Sequence, residues 1–213
     1  MASPRIKFCG ITRLSDARLA VEAGAWAIGT ILWPGSERHC APDEAARIAG
    51  ELRRQAEIAG VFVNQPLDEV IGLAEGIGLS LVQLHGDEGP SFCAEVARRT
   101  GAKIIKAARV RGGEDVQAME AFHTDFHLLD THRSGRWGGT GETFDWELVR
   151  LRRTRVPLIL SGGLTPQNVA DAIVATQPFA VDVASGTEAS PGVKDPEKLR
   201  AFAEAVRSVE VAA

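Results

Sequence analysis

Short apolar runs rich in β-branched residues alternate along this chain with longer stretches in which apolar side chains recur every three or four positions. The short runs fall at 5–9, 26–32, 58–63, 80–84, 103–108, 126–130, 156–161 and 179–183. Each is followed by a helical or helix-like segment, an order that predicts βα units feeding a parallel sheet. Start and stop signals support the helices. Ser15 is placed to cap the first, where Ala17, Ala20, Val21 and Gly24 follow helical spacing. Pro42, Asp43 and Glu44 open the second, and Arg53 and Arg54 close it, matching the helix dipole at both ends. Thr165-Pro166 opens the seventh, with Val169, Ala172, Ile173 and Thr176 on one face. Asp195-Pro196 opens the last, with Leu199, Phe202 and Val206 turned inward.

Eight strands also suit an open doubly wound sheet. No GxGxxG follows the first strand, however, and no GxxxxGK[ST] occurs anywhere. The predicted architecture is therefore a closed (β/α)8 TIM barrel, one α/β domain over residues 1–213. No linker, low-complexity run or charge block interrupts it.

Composition narrows the partners. With 24 basic and 28 acidic side chains and a net charge of −4, the chain has no electrostatic footprint for nucleic acid or an anionic membrane. The uncharged stretch between Glu22 and Glu37 is too short to span a bilayer and is broken by Pro34-Gly35. The N-terminus runs straight into the first strand without a signal-peptide core. Cys9, Cys40 and Cys93 are odd in number and lack CxxC spacing, so reduced thiols and a cytoplasmic setting are expected. Any anionic ligand must be held by a local site.

Candidate chemistry sits at the carboxyl ends of the strands, where barrels of this kind place it. Cys9 closes the first strand ahead of Gly10, and strand parity turns Lys7 and Cys9 into the barrel while Ile6 and Phe8 face the helices. A small buried hydrophobe is the ordinary role of a free cysteine. At a strand exit beside Lys7, a cation that favours the thiolate, Cys9 becomes a candidate base. Asp182 on the last strand faces inward next to the first strand, so a buried Lys7–Asp182 ion pair beside Cys9 is expected, either structural or tuning the thiol. Asp130 ends the sixth strand above Leu128. It either caps the next loop or, desolvated at the mouth with a raised pKa, acts as a general acid.

Three glycine-rich turns follow strands six to eight: Gly138-Gly139-Thr140-Gly141, Ser161-Gly162-Gly163 and Ser185-Gly186-Thr187. Glycine pairs commonly serve turn geometry alone. The last two occupy the positions at which barrels hold phosphate through backbone N–H groups. Arg38, in the loop after strand two, is a surface charge unless the ligand carries a carboxylate for its guanidinium. Gln83 and His85 close strand four, where His85 lines or supports the mouth. His123 and His127 straddle a helix end and a strand, which disfavours shared metal ligation.

Taken in order, these motifs resemble the phosphoribosylanthranilate isomerase family. The resemblance rests on Lys7-Phe8-Cys9-Gly10-Ile11-Thr12, Val61-Phe62-Val63-Asn64, Val82-Gln83-Leu84-His85-Gly86, Leu128-Leu129-Asp130, Gly138-Gly139-Thr140-Gly141 with Phe144-Asp145-Trp146, Leu160-Ser161-Gly162-Gly163-Leu164, Val181-Asp182-Val183 through Ser185-Gly186, and Pro191-Gly192-Val193-Lys194-Asp195. It implies a barrel enzyme of tryptophan biosynthesis that carries out an Amadori rearrangement of N-(5-phosphoribosyl)anthranilate. It further implies Cys9 as general base, Asp130 as general acid and Arg38 on the anthranilate carboxylate. The loops at Gly162-Gly163 and Ser185-Gly186 would hold the phosphate, with Gly141, Asp182, Lys7, Gln83 and His85 completing the substrate site. The expected partner is a small phosphorylated substrate and the expected state a monomer or homodimer. The rearrangement is redox-neutral overall, so neither a redox cofactor nor a metal is required. Phe8, His39-Cys40, Glu142 and Ala184 depart from the family pattern. A histidine-pathway isomerase, which resembles a barrel with aspartate as base on strand one, and a non-catalytic phosphate-binding barrel are the alternatives.

Overall fold

The computed structural model describes residues 3–131 and 146–209. Eight parallel strands close into a barrel in sequence order: β1 (Arg5–Cys9), β2 (Ala27–Ile31), β3 (Glu57–Phe62), β4 (Leu81–Leu84), β5 (Lys103–Val110), β6 (Phe126–Thr131), β7 (Leu158–Leu160) and β8 (Ala180–Val183), with β8 paired back to β1. All eight predicted strands are present. Around them lie α1 (Leu14–Glu22), α2 (Pro42–Leu52), α3 (Leu67–Ile77), α4 (Pro90–Thr100), α5 (Gly113–Ala118), α6 (Val169–Thr176) and α7 (Pro196–Arg207). A 3-10 turn, Trp146–Leu151, precedes β7, and a small antiparallel hairpin, β9 (Glu188–Ser190) with β10 (Val193–Lys194), lies between β8 and α7.

Two apolar layers follow from strand parity. Outward-facing Ile6, Phe8, Ile28, Ile58, Val82 and Leu129 pack against the helices, where the Phe8 ring meets Phe202 of α7 edge-on at 6.1 Å. Inward-facing Ala27, Ala59, Leu81, Ile105, Leu128 and Ile159 fill the barrel. Trp26, Phe126 and Phe179 plug its amino-terminal end with ring centroids 5.2–5.5 Å apart. Polar side chains of inward parity are thereby kept to the two ends of the barrel, Arg5 over the aromatic plug and Lys7 and Asp182 toward the mouth, because an unpaired charge between them would be buried in hydrocarbon.

Two helix starts differ from expectation. Ser15 lies inside α1 and does not cap it; the Leu14 N–H instead donates to Glu44 Oε1 of α2 at 2.8 Å, so a neighbouring helix satisfies the orphan donor. Thr165-Pro166 forms a turn before α6, whose N-cap is Asn168, and the Asn168 Oδ1 accepts from the Thr165 N–H at 2.8 Å. Pro42 and Asp195 begin their helices as expected, Asp195 accepting from the N–H groups of Glu197 and Lys198. Among the described residues no helix is long and apolar enough to cross a membrane.

Candidate active site

Lys7, Cys9 and Asp182 meet at the carboxyl end of the barrel because β1 and β8 pair with Lys7 opposite Asp182. The Lys7 Nζ donates to Asp182 Oδ1 at 2.7 Å, and the second carboxylate oxygen accepts from Ser161 Oγ at 3.1 Å. The lysine is fully buried. Burial works against its ammonium, but Asp182 and Cys9 together outweigh it and raise the pKa, so Lys7 is a fixed cation. Opposite Cys9 in the ladder stands Gly29, where a methyl group would come within 2.8 Å of the thiol sulfur and 3.0 Å of the Lys7 nitrogen. This glycine leaves room for the ammonium and the thiol side by side.

The thiol differs from expectation in one respect. Burial pushes the Cys9 pKa up, and this outweighs the pull of Lys7, whose charge Asp182 largely neutralises. Cys9 therefore rests as a thiol, not a thiolate. Cys40 and Cys93 are buried elsewhere, and burial raises them to about 12 and about 11.

Asp130, next to last in β6, has its side chain 29% exposed, so the desolvation expected of it is only partial. Its carboxylate Oδ2 lies 3.3 Å from His85 Nε2, at angles outside hydrogen-bond geometry. Buried Gln83, two residues before His85 on the same strand face, places its amide nitrogen 3.2 Å from His85 Nδ1. With that amide donating, Nδ1 is the acceptor and the ring proton sits on Nε2, the nitrogen 3.3 Å from Asp130 Oδ2. A cavity of about 570 Å³ opens beside His85 and is bounded by Asn64, Arg109 and Arg111. It lies on the β4–β5 side of the mouth and includes neither Cys9 nor Asp130. Buried His127 is a core histidine: its Nε2–H donates to the Phe122 carbonyl at 2.8 Å, and burial lowers its pKa.

On the far side of Cys9 the loops after β7 and β8 come together. Gly162 and Gly163 have φ of 92° and 63°, the left-handed region. A methyl group on Gly186 would stand 2.0 Å from the Leu164 carbonyl oxygen, so only glycine lets the Ser185-Gly186 turn seat against the β7 loop. Gly141 and Glu142 fall outside the described residues.

Arg38 differs most from expectation. Its guanidinium is not free: Nε and Nη2 fork onto Glu188 at 2.9–3.0 Å, and Nη1 donates to Glu37 at 2.6 Å. Glu188 in turn accepts from buried Lys194 Nζ at 3.3 Å. Glu188, Lys194 and Gly29 were not legible as site residues, and the bond from Ser161 to Asp182 was not expected of the glycine-rich turn that carries it. Glu188 stands 150 positions from Arg38, and nothing in the local sequence pairs them.

The thiol of Cys9 and the carboxylate of Asp130 share one barrel mouth with Arg38 and with the glycine-rich turns after β7 and β8, an arrangement that places the chain among barrel enzymes. Residues 6–205 match the family model described as N-(5'-phosphoribosyl)anthranilate (PRA) isomerase. The N-(5'-phosphoribosyl)anthranilate isomerase of Citrifermentans bemidjiense is 47% identical over 92% of this chain and 93% of its own. The crystal structure of phosphoribosyl anthranilate isomerase from Thermotoga maritima superposes with a TM-score of 0.86 at 40% identity, over 97% of this chain and 100% of that one. A phosphoribosyl anthranilate isomerase solved in complex with reduced 1-(o-carboxyphenylamino)-1-deoxyribulose 5-phosphate matches with a TM-score of 0.82 at 38% identity, covering 97% and 100%. The chain belongs to the phosphoribosylanthranilate isomerase family and is an enzyme of that class.

Proposed function

We propose that the protein converts N-(5-phosphoribosyl)anthranilate to 1-(2-carboxyphenylamino)-1-deoxyribulose 5-phosphate in tryptophan biosynthesis, with Asp130 as general acid and Cys9 as general base. The observation that carries the residue roles is the placement of Cys9 beside the buried Lys7–Asp182 pair in the same barrel mouth that Asp130 enters from β6. Protonated Asp130 delivers its proton to the furanose ring oxygen. The bond from C1 to that oxygen breaks while the anthranilate nitrogen lone pair forms a C1–N double bond. The resulting iminium acidifies the C2 proton, which the Cys9 thiolate removes, and the electron pair closes a C1–C2 double bond as the C1–N π pair returns to nitrogen. Return of a proton to C1 and loss of the C2 hydroxyl proton give the ketone. The thiolate is the minor form of a buried thiol, and the positive iminium enlarges that fraction where the base is needed. His85, with its Nε2 3.3 Å from Asp130 Oδ2, steadies the carboxylate between turnovers once its ring turns to complete the hydrogen bond.

The substrate's two anionic ends account for the rest of the mouth. Backbone N–H groups around Gly162, Gly163, Ser185 and Gly186 hold the phosphate, and Arg38 meets the carboxylate. Gly186→Ala should force the two loops apart and raise KM together with the inhibition constant of inorganic phosphate, with a smaller effect on kcat. If phosphate inhibits wild type and variant equally, these turns do not hold it. Arg38→Ala should raise KM about 10- to 100-fold and leave kcat nearly unchanged, as loss of a charge-assisted contact made equally in ground and transition states. An unchanged affinity for the reduced product would return Arg38 to a structural role. The Thermotoga relative is described as dimeric, and this chain is proposed to work as a monomer or homodimer. Conversion itself is read as the change in anthranilate fluorescence when purified protein meets the substrate. Folded protein that leaves the signal unchanged would contradict the reading.

A further inference from the structure

The guanidinium of Arg38 is held on two edges by two carboxylates of opposite character. The inner edge, Nε with Nη2, is forked onto Glu188, whose side chain is only 3% exposed. Glu188 is itself immobilised. Its carboxylate accepts from buried Lys194, whose Nζ also donates to the Ala184 carbonyl at 2.8 Å. Its backbone carbonyl accepts from Lys198 Nζ at 2.8 Å. The backbone N–H of Lys194 is tied to Asp16 Oδ2 at 2.8 Å, so the β9–β10 hairpin is anchored to α1. Gly10, directly after Cys9, makes way for the arginine stem: a methyl group there would lie 2.8 Å from Arg38 Cδ. The outer edge is different. There a single bond runs from Nη1 to Glu37, whose side chain is 46% exposed.

A guanidinium has five N–H donors, and a fork onto Nε and Nη2 leaves the Nη1 side for a second carboxylate. The buried partner has no route to exchange, because leaving would strand Lys194, fully buried, without its carboxylate. The exposed partner has a cheap one, since a solvent-screened ion pair is worth little. We infer that Glu188 is a positioning residue that aims Arg38 at the substrate's aryl carboxylate, and that Glu37 is a tethered stand-in which this carboxylate displaces on binding. The inference rests on the reading that Arg38 meets that carboxylate.

The test compares two ligands by calorimetry: reduced 1-(o-carboxyphenylamino)-1-deoxyribulose 5-phosphate and the same compound with hydrogen in place of the carboxylate. Glu188→Gln should weaken the first by about tenfold or more while changing the second less than about twofold, because only the first uses the aimed guanidinium. Glu37→Gln should tighten the first about two- to fivefold and leave the second alone, the size expected of an exposed pair. Should Glu188→Gln fail to fold with Lys194 unpaired, the double change Glu188→Gln with Lys194→Met removes both buried partners and carries the same expectation. Equal weakening of both ligands by Glu188→Gln would overturn the positioning role, and a Glu37→Gln protein that binds the first no more tightly would overturn the stand-in. Arg38→Ala keeps the two failures apart. If it does not discriminate between the ligands, the reading of Arg38 has failed; if it does and Glu188→Gln does not, only this inference has.

Discussion

Asp130→Asn should lower kcat by about 10²–10⁴-fold with KM little changed, the usual contribution of a general acid acting only in the transition state. The substitution keeps the shape of the side chain and its place at the end of β6, and removes the proton that opens the furanose. Steady-state rates followed by anthranilate fluorescence decide it. A loss under about tenfold would mean that another group protonates the ring oxygen, and His85, with Nε2 3.3 Å from the carboxylate, is the group to change next.

Cys9→Ser should cost a comparable factor, about 10²–10⁴ in kcat, because a hydroxyl is far harder to ionise than a thiol. The pH dependence carries more information than the magnitude. Burial raises the Cys9 pKa, and the reactive form is the thiolate, so alkylation by iodoacetamide should speed up with pH and continue to do so above the ordinary thiol range. Loss of activity should track modification of Cys9 in mapped peptides, and the reduced product should protect it. Cys40 and Cys93, raised to about 12 and about 11, should lag behind it at neutral pH because they lie in the layers outside the mouth. Full activity with Cys9 quantitatively alkylated would end its candidacy as the base.

The barrel was legible because each layer leaves its own imprint on the chain. Alternation in β1 separates Ile6 and Phe8, which meet the helices, from Lys7 and Cys9, which face inward, and adjacency of the first and last strands brings Lys7 to Asp182. Those are consequences of a two-residue period and of closure, and both can be counted in the sequence. What could not be counted is the balance of environments. The sequence shows Lys7 and Asp182 beside Cys9 but not that burial of the thiol outweighs the pull of the ammonium, so the thiol was expected to be more acidic than it is. It shows Arg38 in a loop but not Glu188 beneath it, since a hairpin inserted after β8 supplies the partner from 150 positions away. Helix starts erred for a similar reason. Ser15 is a good cap in isolation, yet the helix begins one residue earlier, at Leu14, whose N–H is satisfied by Glu44 from the next helix.

The division of labour between Asp130 and Cys9 is tested most directly by the kinetic isotope effect with substrate deuterated at C2, measured in the wild type and in both single variants. Weakening the base makes removal of the C2 proton the slowest step, so Cys9→Ser should express a larger deuterium effect on kcat than the wild type. Weakening the acid makes ring opening slowest, a step in which the C2 bond is intact, so Asp130→Asn should suppress the effect. A deuterium effect enlarged in Asp130→Asn, or left unchanged in Cys9→Ser while kcat falls, would contradict the assignment of base and acid.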